Sequence, residues 1–331
     1  MTMLSPAHAV ARNSPWRGYH IVAKVSEIER ARIRIGALSC VEGIRLVLNM
    51  TPKRGAEFSF SVMVGSGQDS VDRAVRDALG RGVIETSEPD LPLAGSSFGG
   101  QSLAVAVLST LSTASRDILE LAGCSPRERF EKILHVFLDH AGAVSSRWIP
   151  AALAPAPAAY LSFHSHAQGF AARSTDPDAI RHRMAATSEA LAPYLLPEAS
   201  RTLDRWYAVH QGEREPPAQG WGRVVHDAVP GLTELAKSGL LTVDDDQATP
   251  GPLDESDFHI RVRADRRLSN YLQRDPRFIA SRLATSLLYH QAYALGFTLE
   301  QRFLACAITA RLIERGCGIT EDSALRFMGH T

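Results

Sequence analysis

The chain has 331 residues, 45% of them hydrophobic and 22% charged, which is ordinary for a soluble globular protein and enough for one lobed domain or two. Thirty-six basic residues balance 36 acidic ones, so no net field recruits nucleic acid or a membrane surface. The four cysteines, Cys40, Cys124, Cys306 and Cys317, stand far apart without a C-x-x-C pair, which argues against a zinc site or a disulfide framework and fits a reducing cytoplasm.

Residues 1–15 read as a flexible N-terminal arm. They lack the long apolar stretch of a signal peptide, and no run of about 18 apolar residues follows anywhere, so a cytoplasmic protein is expected. From residue 16 the pattern is strand-like: GYHIVAKV over 18–25, IRLVL over 44–48 and EFSFSVMV over 57–64. The last alternates, with Phe58, Phe60, Val62 and Val64 on one face and Ser59, Ser61 and Met63 on the other, which predicts a half-buried antiparallel strand. DSVDRAVRDAL over 69–79 predicts an amphipathic helix opened by an aspartate, and 80–86 returns as a short strand. The order β-β-β-α-β points to a small, mostly antiparallel α+β layer over 16–97.

A largely helical portion over 98–331 follows, giving an α+β fold class and a single domain over 16–331. Helical spacing appears over 101–111, 115–121 and 126–139, then over 177–196 and 198–211. AALAPAPAA at 151–159 and DDDQATPGPLDESD at 244–257 read as connectors. FHIRVR over 258–263 alternates in the manner of a strand and leads into Arg266 and Arg267. The final helices are expected over 280–295 and 298–315.

The stretch 280–295, ASRLATSLLYHQAYAL, carries the most pointed pattern. Ser286, Tyr289, His290 and Tyr293 stand at i, i+3, i+4 and i+7, within an arc of roughly 100° at 100° per residue. Leu283, Ala284, Leu287, Leu288, Ala294 and Leu295 fill most of the rest of the helix. A narrow hydrogen-bonding stripe on an apolar helix marks either a functional face or simply the solvent side.

Other motifs are weaker. Gly100-Gln101-Ser102-Leu103-Ala104 resembles a G-x-S-x-G nucleophile elbow, but the preceding Leu93–Ser97 segment is too small and polar for the buried strand that a serine hydrolase needs. His164-Ser165-His166 would offer two metal ligands from a strand, with no third ligand nearby. His259 and the Asp139-His140 pair read as structural or surface features. Arg261, Arg263, Arg266 and Arg267 suit either an acidic peptide or phosphate, or a solvated strand edge that discourages pairing. Walker A, G-x-G-x-x-G and H-E-x-x-H patterns are missing, which leaves an expectation of chemistry with no nucleotide, redox cofactor or metal.

Taken in order, the chain resembles the stand-alone, C-terminal-type (glutamate-elimination) domain of class I lantibiotic dehydratases. That family runs from a strand H-L-R-L-R through E-x-x-R-Y-G-G and a helix with D-S to a late helix H-M-x-x-N-R-x-x-G and a helix containing glutamate. Here the strand at 58–64 has no arginine, Ser97-Phe98-Gly99-Gly100 stands for R-Y-G-G with Ala94 at the glutamate, and Ala114-Ser115 stands for D-S. Matching the late helix through Gly296 puts Tyr289 at the His position and Tyr293 at the Asn position, with Glu300 opening the next helix. The charged groups that expel glutamate are replaced by neutral ones. The branch of the family with that loss is the thiopeptide pyridine synthases, which perform a formal [4+2] aza-cycloaddition.

The resemblance implies a cyclase whose partner is a leader-bearing precursor peptide containing azoles and dehydroalanines, with other modification enzymes of its pathway as further partners. It implies loss of water and leader after ring closure. Ser286, Tyr289, His290 and Tyr293, neutral hydrogen-bonding and mild acid–base groups on one face, are expected to polarise the amide and move protons. The arginines at 261, 263, 266 and 267 are expected to dock the leader. A glutamyl-elimination lyase and a non-catalytic precursor-binding partner are the competing expectations.

Overall fold

The structure, a computed structural model, describes residues 17–39, 45–52, 57–65, 69–86, 121–148, 157–241 and 256–330. The expected arm, the turn at 98–100 with Ser102, the helix at 101–111, most of that at 115–121 and most of both connectors lie outside these. Two compact units emerge: residues 1–129 with Tyr289–Phe297, and Phe130–Leu288 with Thr298–Thr331.

In the first unit, β1 (Arg17–Lys24) leads into α1 (Val25–Ser39), then β2 (Leu46–Pro52), β3 (Glu57–Val64), α2 (Asp69–Leu79) and β4 (Ile84–Thr86). The strands pair in the order β2-β3-β1-β4, every neighbouring pair antiparallel, with Tyr19 opposite Val62 on one side and Glu85 on the other. This β-α-β-β-α-β order is the split arrangement of ferredoxin-like layers. One sheet face (Tyr19, Ile21, Leu46, Leu48, Phe60, Val62, Val64) packs on Ile28, Ala31 and Ile35 of α1 and on Val71, Val75 and Leu79 of α2.

Two expectations change here. The strand β3 is not half-buried: Ser59, Ser61 and Met63 on its other face are buried too. Burial of its serines is tolerated because both hydroxyls reach His20 Nδ1 at 3.1 Å on the paired strand. The helix α1 occupies a stretch where no element was expected. Its inward stripe includes Arg32 with Ile28, Ala31 and Ile35, and that charge breaks the apolar period. The Glu27 carboxylate accepts from the Lys24 N–H and so supplies a start signal three residues on.

The helices are α3 (Pro126–Trp148), α4 (Pro157–Ala172), α5 (Pro177–His210), α6 (Trp221–Lys237), α7 (Asp257–Ala264), α8 (Arg266–Arg274), α9 (Pro276–Ala294), α10 (Leu299–Cys317) and α11 (Glu321–His330). In the second unit α10 lies along α4 and α5, and α11 packs on α4. The Asp139 carboxylate ties α3 to α5 and α6, accepting from Trp206 Nε1 at 2.7 Å, Arg205 Nη2 at 2.6 Å and the Gly222 N–H at 2.8 Å.

Three further readings are corrected. The two helices expected over 177–211 are the single α5, which runs through Pro193 and Pro197. The alternating FHIRVR is helical α7, begun by Ser256, whose hydroxyl accepts from the His259 N–H. Six residues are too few for a period to separate strand from helix. His164-Ser165-His166 lies on α4, a helix, not a strand.

Candidate active site

The helix α9 is defined at both ends by local chemistry. Asp275 precedes it, accepting from the N–H groups of Arg277 at 2.9 Å and Phe278 at 3.1 Å, and Pro276 takes the first position, where a missing N–H costs nothing. At the other end Gly296 adopts φ +83°, its N–H donating to Tyr293 O at 2.8 Å and the Phe297 N–H to Ala292 O at 3.1 Å. This paired bonding is a Schellman motif, which needs a residue in left-handed conformation.

Between those ends none of residues 280–296 is fully exposed, and the half-buried positions of α9 past Ala280, namely Arg282, Ser286 and Tyr293, all lie on the polar stripe. Tyr289 is 4% and His290 6% exposed, while Ser286 and Tyr293 are half-buried. The Ser286 hydroxyl donates to Arg282 O at 3.0 Å, one turn back. Arg282, half-buried, falls in the same arc at i−4 from Ser286, and Gln291 is buried at 3% exposure. Neither was among the residues expected from the sequence. The spacing of Arg282 is a signal that was present.

Beside Ser286, Thr285 is held by a buried relay within the second unit. Its hydroxyl donates to Ser281 O at 2.9 Å, so it accepts from His140 Nε2 at 3.1 Å, while Trp221 Nε1 donates to His140 Nδ1 at 3.1 Å. His140 is fully enclosed, and burial pushes its pKa down to about 3, keeping the ring neutral with its proton on Nε2.

The other expected residues fall elsewhere. Arg261 and Arg263 lie on α7, Arg266 and Arg267 open α8, and all four are exposed. Arg261 is engaged: it pairs with Glu321 at 2.5 Å and with Asp322, both in the first turn of α11. The other oxygen of Glu321 meets His164 Nε2 at 2.8 Å, and the His164 ring stacks on Tyr160 at 5.3 Å. Burial lowers the His164 pKa, against the opposing pull of Glu321. His259 sits between the hydroxyls of Ser256 and Ser165, at 2.7 and 3.0 Å. Among the described residues no three His, Cys, Asp or Glu side chains gather as a metal would require.

No protein-family model and no curated protein matches the chain. Solved structures do. TsrL superposes with a TM-score of 0.73 at 18% identity, covering 94% of this chain and 97% of its own. A protein described as pyridine synthase, TbtD, from thiomuracin biosynthesis superposes with a TM-score of 0.59 at 15% identity, covering 92% of this chain and 99% of its own. The chain has the TsrL and TbtD fold. The small antiparallel sheet followed by a helical body is the architecture expected from the sequence.

Within that fold the late-helix match needs one adjustment. Counted back from Gly296, the H-M-x-x-N-R-x-x-G spacing lands on Leu288 and Ala292, one position before the two tyrosines. Both are apolar and buried, at 0% and 1% exposure. Tyr289 and Tyr293 therefore stand beside the landmark positions, one residue nearer the glycine.

Proposed function

We propose that this protein is a pyridine-forming macrocyclase of thiopeptide biosynthesis. It joins two dehydroalanines of a leader-bearing, azole-containing peptide by formal [4+2] cycloaddition, then releases water and the leader. The observation that carries the reading is the fold likeness to the pyridine synthase TbtD along nearly the whole of both chains. Strand β3 supports it, since EFSFSVMV has no arginine of the kind an elimination domain uses to expel glutamate.

The reaction asks mainly for two distant parts of one peptide to be held together, and orientation of this kind is worth about 7–11 kcal/mol of a barrier. The remaining steps convert one amide to its iminol form and later expel water, which calls for neutral hydrogen-bonding groups in a low-dielectric setting. The mixed burial of the polar stripe supports that role, since Tyr289 and His290 are nearly enclosed while Ser286 and Tyr293 remain half-buried. Tyr289, Tyr293 and Ser286 polarise and tautomerise the amide, and His290 carries a proton during loss of water or leader. The precursor peptide is the partner, with other enzymes of its pathway as further contacts, in the cytoplasm.

Leader docking falls to the arginines of 261–267, with Arg261 contributing least because Glu321 and Asp322 already hold it. The reading is tested by incubating the protein with a synthetic leader-bearing peptide containing two dehydroalanines and recording the proton NMR spectrum of the product. New ring protons of a six-membered nitrogen heteroaromatic are expected. A product that keeps both vinyl groups would contradict it.

A further inference from the structure

Between α8 and α11 lies an open recess of about 940 Å³. Ala264, Leu268 and Leu325 provide an apolar floor, and arginines 261, 266, 267 and 326 stand around it. Two carboxylates also line it, and both are already committed. Asp322 pairs with Arg261, and Asp265 caps α8 by accepting from the N–H groups of Arg267 at 2.9 Å and Leu268 at 3.1 Å. Among the described residues no salt bridge joins Arg266, Arg267 or Arg326 to a carboxylate, although Arg326 stands close enough to Asp322 to help lower its pKa. The Arg326 Nε donates only to the backbone oxygen of Asp322 at 3.2 Å. The chain as a whole carries no net charge, whereas this recess sets four arginines against two carboxylates, a local excess of positive charge.

We infer that this recess docks an acidic, amphipathic peptide segment. The inference rests on the reading of a peptide substrate and narrows where and how that peptide is gripped. Carboxylates of the segment lie on Arg266, Arg267 and Arg326, whose planar forks suit bidentate pairing. One or two of its aliphatic side chains cover Ala264 and Leu325, above the buried Leu268. A purely acidic tract would leave the floor wet, and a purely apolar one would leave the guanidinium groups unmatched; a segment with both properties satisfies the recess. The sequence pointed to arginines on one stretch of chain. The fold adds Arg326 and Leu325 from a helix about sixty residues later and withdraws Arg261.

The test is fluorescence anisotropy with a labelled synthetic helical peptide that carries glutamates on both sides of a leucine pair. A glutamine-for-glutamate analogue and a serine-for-leucine analogue serve as comparisons. Wild-type protein is expected to bind the parent peptide and to lose affinity as salt rises. The triple variant R266E/R267E/R326E should weaken binding about tenfold or more, and Leu325→Ser should weaken it severalfold, with unfolding midpoints unchanged. Arg274→Glu, an exposed charge reversal outside the recess, should leave affinity alone. Unchanged affinity in the triple variant, an equal loss with Arg274→Glu, or equal binding of either analogue would overturn the inference. With a leader-bearing substrate, docking predicts a raised KM and a retained kcat in the triple variant. A wild-type protein that shows this binding pattern but forms no ring would contradict the cyclase reading while leaving the docking site standing.

Discussion

Arg129 closes the carbonyl end of α9 through Leu295: its Nη1 donates to Leu295 O at 2.7 Å and to Glu29 at 3.1 Å, and its Nη2 donates to Cys124 O at 3.2 Å. A cation at a helix C-terminus is favourable on its own, and here it also satisfies a backbone group. Arg129→Met removes these bonds and should cost about 2–3 kcal/mol, the scale of a charge-assisted hydrogen bond lost from a buried site. Urea unfolding measures this, and a change within about 0.5 kcal/mol, the ordinary scatter of surface substitutions, would contradict it.

One residue further on, Gly296 combines two constraints. Its φ is +83°, and a Cβ there would lie 2.7 Å from Arg32 Nη1, a fully buried guanidinium. Gly318 shares the left-handed conformation, at φ +64°, but faces open space. Gly318→Ala should therefore cost about 1–2 kcal/mol for conformation alone. Gly296→Ala should cost distinctly more and shift the unfolding midpoint further. Equal losses in the two variants would mean that Arg32 yields freely.

Replacing Tyr289 or Tyr293 by Phe keeps ring volume and removes only a hydroxyl. Stability should change by no more than about 1.5 kcal/mol. Ring closure should slow by about hundredfold or more, as expected when a positioned acid–base group is deleted. Turnover of a synthetic bis-dehydroalanine substrate reads this, and full activity in both variants would remove the tyrosines from the mechanism.

Acid should weaken the fold through His140. Its folded pKa of about 3 lies below the unfolded value near 6.5, so the unfolded chain binds the extra proton. The neutral native ring therefore gives its full contribution above pH 6.5 and loses about 1.4 kcal/mol per pH unit below it, until the folded value is reached. Between pH 7 and pH 5 this group alone should remove about 2 kcal/mol. His140→Gln should lose less stability over that interval. An unchanged pH slope would mean that the relay to Trp221 and Thr285 tolerates a charged ring.

Much of this was legible in residue order. The alternation of Phe58, Phe60, Val62 and Val64 located β3, and the aspartate-led period of 69–79 gave α2 its bounds. The polar stripe on α9 was readable from spacing alone, but its burial was not, because periodicity identifies a face without saying what covers it. Arg32 hid α1 by placing a charge among Ile28, Ala31 and Ile35, a choice made tolerable by Glu29 at 3.4 Å and Met50 Sδ at 3.6 Å. Short windows misled at Phe258 and His164, where capping by Ser256 and packing on Tyr160 outweigh local alternation. The basic recess needed Arg326 beside Arg266 and Arg267, a long-range neighbourhood that no local pattern encodes.

The most direct test of the account is intact mass spectrometry of a dehydrated, azole-bearing precursor peptide incubated with this protein alone. Loss of one water together with the whole leader is predicted. Loss of glutamate from a glutamylated precursor, or a mass that never changes, would contradict it.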